Sequence, residues 1–234
     1  MSQANFGPQL RAIRMARNLS LRSVAAAVGV SPSMLSQVET GKTNPSVSTL
    51  YALVNHLDVP IEDLISPGDP QRTTATTRGH LSMVGGDSPA IQRRENSPTI
   101  EMENGVTWER LAVGPFGMAD PLITTYAPGG SSSVEGRMMR HSGVEYGYII
   151  EGELTLKLDF DTFVLNQGDS MCFDSMRPHL YINHTDAVTR GLWFVVGHQR
   201  PRAPASAATD SDNVASDHPV KSAVDILAAL RDMQ

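Results

Sequence analysis

Residues 20–46, SLRSVAAAVGVSPSMLSQVETGKTNPS, constrain the fold more tightly than any other stretch of the chain. Ser20 is a good N-cap, and Leu21, Val24, Ala25 and Val28 then recur at helical spacing on one face. Ala26 and Ala27 add helix propensity without bulk, which permits close helix–helix approach. Gly29 stops this helix, because a residue without a Cβ enters the left-handed region at little cost. Ser31 caps a second helix, and Pro32 occupies its first turn, where a missing N–H does no harm. Leu35 and Val38 anchor this helix to its neighbours, while Ser33, Ser36, Gln37 and Thr40 form the opposite, polar face. Glu39 is expected to face inward or toward the neighbouring turn rather than the phosphates. Gly41 ends the helix, and Lys42, Thr43 and Asn44 follow as a loop of phosphate-contacting groups. Two short helices so joined, the second presenting small polar side chains, are what a protein needs to lay a helix in the major groove of DNA.

Ser46 opens a further amphipathic helix with Val47, Leu50, Leu53, Val54 and Leu57, and Ile61, Leu64 and Ile65 supply a short fifth one. A helical bundle serving only dimerisation is the competing reading. Residues 8–66 resemble the helix-turn-helix domain of Cro- and phage-repressor-type regulators, the XRE family, through V-G-V-S followed by S-Q-V-E-T-G-K. By that resemblance Pro32, Ser33 and Gln37 fall where the family reads bases, with Ser36 close by. The Gln37 amide can pair bidentately with adenine. Ser20, Lys42, Thr43 and Asn44 suit contacts to the DNA backbone, which set register without reading sequence.

The formal charge of −6 looks wrong for a DNA binder until it is divided along the chain. Residues 1–66 hold five basic side chains (Arg11, Arg14, Arg17, Arg22, Lys42) and four acidic ones, so the acidity lies elsewhere. A net charge of +1 implies modest affinity per domain and a need for paired domains on DNA. The single cysteine, Cys172, excludes an internal disulfide and suits a reducing cytosol. It is expected in a buried strand as an inert thiol. With no signal peptide and no stretch of membrane-span length, a cytoplasmic location without membrane partners is expected.

Residues 67–89 read as a linker, broken by Pro67, Gly68, Pro70, a T-T-A-T-T run and Gly85-Gly86. From residue 90 to 200 the texture is that of short β-strands, expected at 106–113, 121–126, 146–151, 153–158, 162–165, 170–173, 179–183 and 190–196. Residues 201–219, rich in Ala, Ser, Asp and Pro, are expected to be disordered, and 220–234 to form a short terminal helix.

Two β segments carry chemistry. In the first, His141 and Glu145 precede Tyr146, Gly147, Tyr148 and Gly152; in the second, Gly168 precedes His179, Tyr181 and Asn183. On extended strands Glu145, Gly147 and Ile149 share a face, as do His179, Tyr181 and Asn183. With both faces inward, His141, Glu145 and His179 form a two-imidazole, one-carboxylate set suited to ferrous iron and compatible with zinc or manganese. Alternatively the two histidines line a metal-free effector pocket with Tyr181 and hydrogen-bond each other or Glu145. Residues 105–198 resemble a cupin, a jelly-roll barrel. His141, Glu145 and Gly152 match its first motif, but Met139 stands where the first His is expected; Gly168, His179 and Asn183 match the second, with Asp174 and Met176 replacing Pro and Gly.

The sequence thus implies two domains: an all-α five-helix helix-turn-helix domain, then an all-β cupin barrel. The resemblance implies a homodimeric DNA-binding transcription regulator whose cupin senses a small-molecule effector at a double-stranded operator. The competing enzyme reading is a mononuclear non-haem iron cupin with a helix-turn-helix head, of the hydroxypropylphosphonate epoxidase kind.

Overall fold

The computed structural model describes residues 6–59, 91–112 and 119–197. The described residues of the head form four helices, α1 (Gly7–Ala16), α2 (Leu21–Val28), α3 (Pro32–Glu39) and α4 (Val47–His56). The expected fifth helix, the linker 67–89, the tail 201–219 and the terminal helix 220–234 lie outside the described residues.

Each helix boundary has a local cause. The hydroxyls of Ser20, Ser31 and Ser46 accept from the backbone N–H groups of Ser23, Met34 and Thr49, capping α2, α3 and α4. Gly29 closes α2 at φ 75°, a conformation that strains any other residue. At the end of α3 the Gly41 and Lys42 N–H groups donate to the carbonyls of Val38 and Gln37, a Schellman closure that turns the chain sharply out of the helix. Leu35, Leu50, Leu53 and Leu57 are fully buried, each worth about 1.5–3 kcal/mol relative to exposure. Ala26 and Ala27 are exposed, so the close approach expected of them does not occur. Gly7 supplies one instead: a Cβ there would sit 2.2 Å from the Val38 carbonyl oxygen, so α1 can lie against α3 only through glycine.

The described residues of the second domain form nine strands: β1 (Thr99–Met102), β2 (Val106–Arg110), β3 (Ala119–Tyr126), β4 (Val144–Glu151), β5 (Glu153–Leu158), β6 (Asp161–Asn166), β7 (Ser170–Asp174), β8 (His179–Ile182) and β9 (Thr189–Val196). They form a six-stranded sheet, β1-β2-β3-β9-β4-β7, and a three-stranded one, β6-β5-β8, rather than a closed barrel. Residues 127–143 meet β8 at two isolated bridges, Ser131 to Ile182 and Met139 to His179, without adding a strand between the two sheets. The inner faces meet at Tyr181 and Trp193, whose rings pack edge-on at 5.6 Å.

Strand β1 was not expected from the sequence. It pairs with β2 across the three-residue loop Glu103, Asn104 and Gly105, in which Asn104 and Gly105 both have positive φ (68° and 74°), a region that Asn and Gly enter most readily. That dipeptide is the signal which marks it. Strand β4 alternates as expected: Glu145, Gly147 and Ile149 are buried, while Tyr146 and Tyr148 face outward. In β7 the same two-residue period buries Phe173 and exposes Cys172, opposite Tyr146, so the thiol is not a core residue.

Candidate functional site

Pro32, Ser33, Ser36 and Gln37 are exposed on α3, with Ser20 and Lys42 exposed nearby in sequence and Thr43 and Asn44 half-buried. The backing of α3 is rigid. Arg14 donates from Nε and Nη2 to the two carboxylate oxygens of Glu39, at 2.6 and 2.8 Å, and from Nη1 to the Leu19 carbonyl. Glu39 therefore faces inward, as expected. Thr40 is exposed as well, with its hydroxyl donating back to the Ser36 carbonyl. Ser33 shares a hydroxyl contact of 3.0 Å with the capping Ser31.

In the sandwich, His141, Glu145 and His179 come together, 2%, 2% and 0% exposed, with one ligand atom of each lying within 4.8 Å of the others. Strand β4 supplies Glu145 and β8 supplies His179; His141 ends the segment that crosses the domain just before β4. Two imidazole nitrogens converge on one oxygen. His141 Nε2 lies 2.6 Å and His179 Nε2 3.1 Å from Glu145 Oε1. The other Glu145 oxygen accepts from the Tyr181 hydroxyl at 2.6 Å.

The tautomers follow from the neighbours. A carbonyl can only accept, so His179 Nδ1, 2.8 Å from the Arg177 oxygen, carries a proton. His179 Nε2 then turns a lone pair into the cluster, and it makes no hydrogen bond there. His141 Nδ1 faces the Ser142 carbonyl at 3.3 Å in the same sense. Two nitrogens and a carboxylate oxygen this close require a cation between them, either a proton or a metal ion. The donor set and its carbonyl-oriented imidazoles fit a divalent metal. Met139, in place of a fourth ligand, is buried and exchanges two backbone hydrogen bonds with His179.

Burial would raise the Glu145 carboxyl, but the hydrogen bond with His141 and the proximity of both imidazoles more than offset this and hold it below the usual carboxylate range. Burial and the Glu145 charge push the Tyr181 phenol upward, so Tyr181 stays a donor. Asn183 has a structural role: its amide nitrogen donates to the Tyr126, Ala127 and Ala187 carbonyls, and its oxygen accepts from Thr185.

One site residue escaped the sequence reading. Tyr51, on α4 of the head, stacks on His141 with ring centroids 4.0 Å apart and planes 7° from parallel. An aromatic with a polar tip on the apolar face of α4, four residues after Val47, is the signal that marks it.

The helix-turn-helix family matches residues 10–64, and the cupin domain family matches residues 122–195. The chain carries a helix-turn-helix domain and a cupin domain. The HTH-type transcriptional regulator PuuR of Escherichia coli is 26% identical over 79% of this chain and 90% of its own length. SutR of the same organism, also called an HTH-type transcriptional regulator, is 28% identical over 74% and 84%. Among solved structures, an HTH_3 family transcriptional regulator from Vibrio cholerae superposes with a TM-score of 0.57 at 20% identity, covering 84% of this chain and 97% of that one, which supports the fold. The triad thus lies in the cupin domain and the α3 surface in the helix-turn-helix domain.

Proposed function

We propose that this chain is a sequence-specific DNA-binding transcription regulator that acts as a homodimer, with its cupin domain as the sensor. The observation that carries the reading is α3 itself. It is capped at both ends, braced by a buried ion pair, and exposes Ser33, Ser36 and Gln37 beside Lys42. In this reading Gln37, Ser33 and Pro32 address base edges with Ser36 nearby, while Ser20, Lys42, Thr43 and Asn44 hold phosphates. The small positive charge of the head calls for two copies, placing recognition helices on half-sites ~34–36 Å apart. Outward-facing Tyr146, Tyr148, Ile150 and Phe194 on the large sheet offer an apolar surface for the second copy. Among the described residues no helix is long and apolar enough to cross a membrane.

His141, Glu145 and His179 would hold a divalent ion (iron, zinc or manganese), with Tyr181 orienting the carboxylate. Such an ion supplies a Lewis-acidic centre to which an effector can bind. Occupancy changes operator affinity only if it prefers one arrangement of the heads. The enzyme alternative is less supported because the relatives are named transcriptional regulators.

Footprinting on the upstream region of the chain's own operon tests the reading. A protected site with two half-sites is expected; no protection, together with unchanged DNA affinity in Gln37→Ala, overturns it. Stoichiometric iron with substrate-dependent oxygen consumption would establish the enzyme instead.

A further inference from the structure

The segment that delivers His141 to the triad is also the segment that holds the head. Ser132 accepts, through its carbonyl, from the Ser48 N–H at 2.9 Å. Arg137 donates from Nη1 to the carbonyl of Gly29, the turn residue between α2 and α3, at 2.9 Å. The Asn55 amide on α4 donates to the Arg140 carbonyl at 3.1 Å. One residue later His141 lies face to face with Tyr51. Tyr51 also packs edge-on against Trp108 of β2 at 5.9 Å, so α4 is seated on both the site and the large sheet. The contacts run from the cupin site to the helix-turn-helix turn without a break.

We propose, on the regulator reading, that Tyr51 is a cupin-site residue supplied by the DNA-binding domain, closing the triad from outside and carrying its occupancy into α4. The geometry gives the reason. Ligands held at about 2.1 Å from one ion are separated by roughly 3 Å or more at ordinary coordination angles. His141 Nε2 and Glu145 Oε1 are 2.6 Å apart, so the pair opens when an ion enters. Glu145 is fixed in β4 and tied to Tyr181, whereas His141 stands on the segment before the strand. His141 is therefore the ligand that yields, and its ring is in van der Waals contact with Tyr51 over a whole face. Tyr51 is 5% exposed and cannot give way freely, so the shift passes to α4, while Arg140 and Arg137 tie the same moving segment to Asn55 of α4 and to Gly29 in the turn before the recognition helix.

The test is amide hydrogen exchange of the full-length protein with and without zinc chloride, in the wild type and in Tyr51→Leu and Tyr51→Phe. In the wild type, zinc is expected to slow exchange in β4 and β8 and to change exchange in α4 by about threefold or more. Tyr51→Phe, which keeps the stack, retains the α4 response. Tyr51→Leu keeps the β4 and β8 response but loses that of α4. The ratio of DNA affinities with and without zinc follows the same order, shrinking to under twofold in Tyr51→Leu. Protection confined to β4 and β8 in the wild type overturns the proposal while leaving the metal site standing, as does an undiminished α4 response in Tyr51→Leu. Asn55→Ala, a change at an exposed side chain, gives a second variant that is expected to weaken the α4 response. Absence of any zinc response in β4 and β8 ends both the metal reading and the proposal.

Discussion

Arg14 and Glu39 bind each other through two nearly buried hydrogen bonds, and this pair joins the first helix to the back of the recognition helix. The face of α3 that meets solvent is consequently set by a contact on its hidden side. Removing one partner leaves a buried charge unpaired. Arg14→Ala or Glu39→Ala is expected to destabilise the protein by about 3–5 kcal/mol, read by urea unfolding, and to abolish DNA binding. Replacement of both by apolar residues of similar volume should restore much of that loss.

Gln37→Ala and Lys42→Ala separate base reading from phosphate contact. Both side chains are exposed, so neither change should alter the unfolding midpoint appreciably. Gln37→Ala is expected to cost about 1–3 kcal/mol on the operator and little on unrelated DNA. Lys42→Ala should weaken binding to both alike and lower the slope of log affinity against log salt by about one. Fluorescence anisotropy over a salt series distinguishes them.

Tyr181 holds Glu145 through a single hydroxyl, and Tyr181→Phe removes that bond while preserving the ring against Trp193. Metal affinity, measured by competition with a chromogenic chelator, is expected to fall about 10- to 100-fold, as for other groups that orient a ligand. DNA affinity of the metal-free protein should stay within about twofold.

The stability of the metal-free protein should depend on acid through Glu145. Its carboxyl sits lower in the folded state than in the unfolded chain, so its contribution is complete above the ordinary carboxylate range and is lost as pH falls through it. Urea unfolding from neutral to acid pH is expected to show the wild type losing its advantage over Glu145→Gln as pH falls. A constant difference between them would contradict the assignment.

Cys172 is exposed on the outer face of β7, opposite Tyr146. In dilute native protein it should react with a thiol reagent without denaturant. Slower reaction at higher protein concentration is expected if a second copy covers this face of the large sheet.

Local pattern determined much of this protein. The helix-turn-helix was legible because serine caps, Pro32 and the glycines at 29 and 41 act within a turn of themselves. Glu145 and His179 were legible because strand alternation has a period of two, and the same rule applied to Phe173 would have placed Cys172 outside. Strand faces and ligand chemistry pointed to the triad and the resemblance to cupins supported it; neither brings its members together. What tertiary structure alone decided are contacts between residues distant in sequence: Arg14 with Glu39, the sheets that stay open between β8 and residues 127–143, and Tyr51 on His141. Such contacts depend on where whole elements pack, and no local preference of Tyr51 encodes the ring that lies 90 residues away.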